Sequence, residues 1–217
     1  MLIVIAAGAG CVRQEAWIAP DPGVTVAAHR AADRLVLDRL PSGARGALDP
    51  PAWPRLPDEP TFVLHAGGEV RAGLWVVGRS RVLVRRDAAI TSPRTAEVLS
   101  AWDEGALRLT LFQEGGATLG VDRFAREQGA DAAPLVRGAA LRGTYRAAVR
   151  DASGASLGWL RVRVESPAAR VYDGVLPEAT GDALAAAAAL ALDDEVEWIE
   201  EHPPDDTPAV RGETRPP

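Results

Sequence analysis

A β-rich α+β domain, with a mostly antiparallel sheet and one or two packed helices, is the fold class that this sequence predicts, and three observations lead there. Short apolar–polar alternations recur along most of the 217 residues. Glycine pairs and Asp/Ser/Gly clusters separate them, as turns between strands require. Only two stretches carry helix signals. With 47% apolar and 25% charged residues, the chain is long enough to build one substantial core or two small ones.

Residues 24–28 and 34–40 begin the series as strand-like pieces. Prolines at 41, 50, 51, 54, 57 and 60 then fix φ and remove backbone donors, so residues 41–60 read as an extended loop or linker. Trp53 inside it would pin the loop to the surface or face a partner. Residues 61–65, 69–77 and 81–86 follow as three strands in succession, an antiparallel meander, with Gly78-Arg79-Ser80 between the last two. Ser92-Pro93 offers a capping hydroxyl before a proline at the first helical position, which predicts a helix ending at Gly105 with Val98, Leu99 and Trp102 on its apolar face.

Beyond that helix, Leu107, Leu109 and Leu111 alternate with Arg108, Thr110 and Phe112, the period-two pattern of a half-buried strand, and Gly115-Gly116 closes it with a turn. The clearest hairpin spans 143–165. Tyr145, Ala147 and Val149 alternate on one arm, Leu160, Val162 and Val164 on the other, and Asp151-Ala152-Ser153-Gly154 supplies the turn chemistry. Residues 171–176 form another strand. Thr180 caps an alanine-rich helix running to about Leu192, whose Leu184, Ala188 and Leu192 fall on one face at four-residue spacing and would let it lie close against a sheet. Residues 195–201 return as a strand with Val196 and Trp198 on one side. The proline-rich, charged stretch 203–217 reads as a disordered tail.

Charge excludes one class of function. A formal net charge of -6 opposes a protein whose main work is to follow phosphate backbones, so no nucleic-acid partner is expected. All 24 basic residues are arginine, and neither lysine nor asparagine occurs, a bias that codon usage in a GC-rich genome produces without functional selection. The arginines at 79, 81, 85 and 86 read as a solvated strand edge. One cysteine cannot form an internal disulfide, and His29, His65 and His202 lie too far apart in sequence for a zinc pattern.

The N-terminus carries the most specific motif. Residues 2–10, Leu-Ile-Val-Ile-Ala-Ala-Gly-Ala-Gly, precede Cys11, with small residues directly before the cysteine as a signal peptidase pocket requires. This segment resembles a bacterial lipoprotein signal, although Gly8 stands where leucine is usual. The resemblance implies that residues 1–10 are a signal peptide and that Cys11 is the lipid-attachment residue. Residues 11–23, with Pro20 and Pro22, would be a tether to a domain spanning 24–202, for which a subdivision near Pro134 is suggested by strands plus one helix in each half. Two other readings stay open. The segment could be a buried strand with an incidental cysteine. It could also be a nucleotide-binding first strand, since Gly8-Ala9-Gly10 matches the start of a dinucleotide fingerprint, but Arg13 occupies the third glycine position and Pro20 and Pro22 interrupt the crossover helix.

Candidate chemistry elsewhere is sparse. Asp193, Asp194, Glu195, Glu197, Glu200, Glu201, Asp205 and Asp206 form a dense acidic cluster without the spacing of a calcium loop. None of the serines at 42, 80, 92, 100, 153, 156 and 166 occupies a Gly-x-Ser-x-Gly elbow. His65 is the one histidine inside a well-patterned strand, with Asp87 and Asp173 as conceivable partners. No catalytic residue, metal ligand or cofactor is assigned on this basis. Residues 182–202, an Ala/Leu-rich helix followed by Asp-Asp-Glu-Val-Glu-Trp-Ile-Glu-Glu-His, also resemble the end of subtilisin propeptide and inhibitor domains. That resemblance implies a last strand followed by an extended tail able to enter a protease cleft.

Together these features predict an exported, lipid-anchored bacterial envelope protein with a structural or binding role, facing the periplasm or the cell surface. Its partners would be the membrane, through the lipid anchor, and an envelope protein. A protease propeptide- or inhibitor-like binding module is one alternative, and an enzyme whose site is assembled only by the fold is the other.

Overall fold

The computed structural model describes residues 23–50, 58–104, 106–127, 142–166 and 169–201. Among these described residues, thirteen strands precede one long helix. They are β1 (Val26–Ala31), β2 (Arg34–Arg39), β3 (Gly46–Asp49), β4 (Phe62–Ala66), β5 (Glu69–Val76), β6 (Arg81–Arg86) and β7 (Arg94–Asp103), then β8 (Ala106–Gln113), β9 (Leu119–Val121), β10 (Ala125–Arg126), β11 (Gly143–Arg150), β12 (Ser156–Ser166) and β13 (Ala169–Val175). A 3-10 turn at Glu178–Thr180 leads into α1 (Gly181–Glu201).

The strand pairings are antiparallel and run between neighbours in sequence. The last strand then returns to the first, from Val26↔Gly174 to His29↔Val171. Short strands β9 and β10 lie along the same edge of β11, at Val149↔Val121 and Ala125↔Arg146, so together they make one stave broken at residues 122–124. The result is a closed up-and-down barrel of twelve staves. Closure gives every stave two hydrogen-bonded neighbours and leaves no open sheet edge.

Period-two patterning explains the wall. Leu35 and Leu37, Val82 and Val84, Leu107, Leu109 and Leu111, and Leu160, Val162 and Val164 are each buried in one continuous core, with more polar residues between them on the outer face. That core lies inside the barrel and includes α1. Ala185 to Ala188 are fully buried, and Leu184, Ala189, Leu190, Ala191, Leu192, Val196 and Ile199 are each at most 5% exposed. The helix touches β13 and β1 on one side and β5 to β8 on the other, so it threads the lumen. A helix that is apolar on every face needs walls on every face. Alanine keeps its girth small enough for the bore.

The barrel therefore corrects several expectations. The fold is mostly β, with one helix enclosed by the sheet, and not an α+β layer with helices laid upon it. The predicted helix at 93–105 is strand β7. Eight residue pairs with β8 outweigh the local capping signal, and Ala96, Val98, Ser100 and Trp102 alternate inward. The predicted strand at 195–201 is the last part of α1. Leu192, Val196 and Ile199, at spacings of four and three, continue the helix's buried face. Strand β3 lies inside the stretch read as a proline-rich loop. Residues 1–22 and 202–217, on which the signal, tether and tail readings fall, lie outside the described residues.

The two ends of the barrel differ. At the entry end, where α1 begins, the Ser42 backbone N–H and hydroxyl donate to Asp182 at 2.9 and 2.6 Å, tying the β2–β3 turn to the first helical turn. The described chain also starts at this end. Thr25 hydrogen-bonds Leu176, in the segment leading to the helix, through both its hydroxyl and the Leu176 N–H. At the exit end, the last turns of α1 meet the ends of β1 and β7, the start of β13 and the β5–β6 turn.

Candidate functional site at the exit mouth

Asp193 ends the apolar part of the helix and begins its charged part. The Tyr172 hydroxyl donates to its carboxylate at 2.7 Å, and Arg30 and Arg170 approach it at 3.1 and 3.5 Å. All these groups but Asp193 come from strands β1 and β13, which the closure seam brings together. Arg30 also bridges to Glu197 at 3.0 Å. Burial raises both acids: the Tyr172 phenol lies well above its usual range, and Asp193 is raised by desolvation despite the opposing guanidinium groups and the tyrosine hydrogen bond.

Glu195 points to the opposite wall. The Trp102 indole N–H donates to it at 2.8 Å, and the Ser100 hydroxyl donates to its other oxygen. Trp198 lies under the Arg79 guanidinium, 4.6 Å from the ring centroid. Between these fixed groups stands Asp194, half-buried, with no hydrogen bond or ion pair to a described residue. Its carboxyl is raised to about 6, first by desolvation and then by the neighbouring carboxylates of Glu195, Glu197 and Asp193, while Arg79 opposes the shift.

These groups hold a helix in a barrel, and nothing among them is arranged for nucleophilic attack. Ser42, Ser100 and Ser153 each bond a carboxylate, while His29 pairs with Asp38 at 2.7 Å on the outer face, so serine, histidine and carboxylate do not converge among the described residues. His65 lies on the outer face of β4 opposite Ala47 and Val70, three staves from His29 and remote from Asp173. Asp173 is fully buried on the outer wall and accepts from Arg161 at 2.8 Å and Arg163 at 3.0 Å. Asp87 bridges to Ala72 through its backbone. No group of three or more His, Cys, Asp and Glu side chains able to hold a metal occurs among the described residues. Cys11 lies outside them.

The arginine cluster of the sequence disperses. Arg79 covers Trp198, Arg81 bonds Glu97 at 2.6 Å, and Arg85 donates to the Ser92 carbonyl at 2.7 Å. Glu97 also accepts from Arg94 at 2.8 Å and floors an open depression of about 410 Å³ on the outer face of β7 and β8, lined by Leu99, Phe112, Gln113 and Glu114. Inside the barrel, a void of only about 10 Å³ lies beside Tyr172 and Ala189. The helix occupies the space that an open barrel of this kind would offer a ligand.

Fold and site define a class: a closed antiparallel barrel filled by its own C-terminal helix and latched at one mouth by buried ion pairs. Compared with known proteins, the chain matches no family model, no curated protein and no solved structure. None of the described helices is long and apolar enough to cross a membrane.

Proposed function

We propose that the protein is an exported, lipid-anchored bacterial envelope protein whose barrel serves a binding or structural role through its outer surface. The filled lumen is the observation that carries the binding role. With residues 184–193 of α1 buried, the surfaces left to meet a partner are the outer wall, including the depression over Glu97, and the two rims. The small-residue run before Cys11 supports the anchor.

Metabolic labelling with a fatty acid in a bacterial host tests the anchor. Wild-type protein should incorporate label and fractionate with membranes, and Cys11→Ala should do neither. Two soluble, unlabelled proteins would defeat the proposal and return residues 2–10 to the alternative of a buried strand.

A further inference from the structure

Strand β6 reads Arg81-Val82-Leu83-Val84-Arg85-Arg86, and with Val82 and Val84 in the core the alternation sends Arg81, Leu83 and Arg85 to the outer wall. Pairing with β7 sets Leu99 opposite Arg81, Glu97 opposite Leu83 and Arg94 opposite Arg85. Strand β8 then sets Phe112 on the other side of Glu97. Apolar neighbours on both flanks leave Glu97 only 8% exposed, although it stands on the outside of the barrel.

A carboxylate buried this far stays charged only with well-placed partners. Glu97 has one for each oxygen, Arg81 through Nε at 2.6 Å and Arg94 through Nη1 at 2.8 Å. Each guanidinium gives one N–H to this contact and makes no other hydrogen bond or ion pair to a described residue. Their side chains are 41% and 55% exposed, so the remaining donors face solvent in fixed positions.

Arg85 adds a third cation with no carboxylate partner among the described residues. It donates through Nη1 to the Ser92 carbonyl at 2.7 Å, lies over the Trp75 ring at 5.7 Å from the centroid, and keeps a buried Nε without an acceptor. Its position directly across from Arg94 sets like charges face to face, which destabilises a strand pair. The acids of this wall are Glu97, already held by two arginines, and Glu114, exposed at the lip of the depression with no ion pair to a described residue. Asp87 follows Arg86 at the end of β6 and offsets that charge. Three guanidinium groups therefore meet two carboxylates, an excess of positive charge in a chain whose net charge is -6.

The depression of about 410 Å³ lies beside these cations, with Arg94 in its lining and Leu99 and Phe112 as its apolar surface. That volume and that mixture of apolar wall and few polar groups suit a small molecule. We propose that the depression binds a small organic anion, its carboxylate or phosphate oxygens on the free N–H groups of Arg94 and, across Glu97, of Arg81, and its apolar body on Leu99 and Phe112. The proposal gives a ligand class to the binding role of the outer wall, on which it rests, and is independent of the anchor.

Phenyl phosphate titrated into the full chain, followed through its amide NMR signals, tests this. Thr95, Leu99 and Phe112 should shift and saturate below about 10 mM. Inorganic phosphate, which lacks the ring, should bind about tenfold more weakly. Arg94→Gln leaves Glu97 its Arg81 partner and should weaken phenyl phosphate by about fivefold or more. Glu114→Gln removes the opposing carboxylate and should tighten it by about twofold. Arg108→Gln, on the outer face of β8 and paired with Asp103, should bind as wild type does. Equal affinity in Arg94→Gln, or neutral benzyl alcohol bound as tightly as phenyl phosphate, would sink the anion while leaving the depression a binding surface. If neither probe shifts these signals, the depression loses its binding role as well.

Discussion

Replacing Asp194 with asparagine should stabilise the protein most at neutral and alkaline pH, about half as much near pH 5, and hardly at all below about pH 4. The carboxyl is raised from 3.8 to about 6 because α1 carries it into a half-buried position among three other carboxylates. A folded-state value above the unfolded one means that the folded protein holds the proton more tightly. Above about pH 6 the group is ionised in both states and burdens the fold. As pH falls from there toward 3.8, the folded state takes up a proton before the unfolded state does, and stability rises. A shift of about two units corresponds to roughly 3 kcal/mol. Solvent screening at a half-exposed carboxylate lowers the expected effect to about 1 kcal/mol. For a chain of this size that equals roughly 2–4 °C in Tm. Urea denaturation of wild type and Asp194→Asn at about pH 8 and about pH 5 measures it. The variant should be more stable at the higher pH, and its gain in acid should be smaller, the remainder coming from Asp193, whose carboxyl is also raised. Equal stability at pH 8, or the same acid gain in both proteins, would refute this account of the exit mouth.

Three further substitutions test the barrel and its latch. Gly174→Ala places a Cβ 2.3 Å from the Trp159 carbonyl and 2.8 Å from Leu160, so β12 or β13 must shift, and thermal melts should show a loss of about 1–3 kcal/mol; Gly120→Ala, with no heavy atom within 4 Å, should melt like wild type. Tyr172→Phe removes the hydroxyl that donates to buried Asp193 and should cost about 1–3 kcal/mol in urea titrations without altering the strand signal in circular dichroism.

The wall of the barrel was legible where one hairpin contains its own pattern. The stretch read as a hairpin at 143–165 is β11 and β12, and its turn closes as the residue types require, with Asp151 accepting from the Ser153 and Ala155 N–H groups. The Leu107-Leu109-Leu111 alternation is likewise β8, facing the core. What failed was each judgement that needed a partner distant in sequence. The β1–β13 seam joins residues about 150 apart, and no local signal marks it. Residues 93–105 carry a genuine capping pair, but β6 and β8 on either side turn the segment into a stave. The exit mouth was illegible for the same reason. Asp193 looked like one acid in a dense cluster, and only closure of the barrel places Arg30 and Arg170 beside it. The His29–Asp38 pair had a weak signal in the period-two spacing of two facing strands, at residues 24–28 and 34–40, but its histidine fell just outside the first.

The alanine run held more information than a single stripe. Consecutive alanines from 185 to 189 cover every direction around a helix, since five residues at 3.6 per turn exceed a full circle. A helix resting on a sheet needs small residues on one face alone. Small residues on all faces, followed directly by charged ones, describe a rod that enters a narrow tube and stops where the tube ends. Asp193 marks where burial on every face ends, because there the wall supplies Arg30, Arg170 and Tyr172 where it had supplied leucine and valine, while Val196 and Ile199 keep one face buried beyond it. Because the helix follows every strand of the wall, the barrel cannot complete its core until residues 181–201 have been added. Strand pairing, lumen packing and the latch are thus joined in one step, which links a change at Asp194 to the stability of the whole wall.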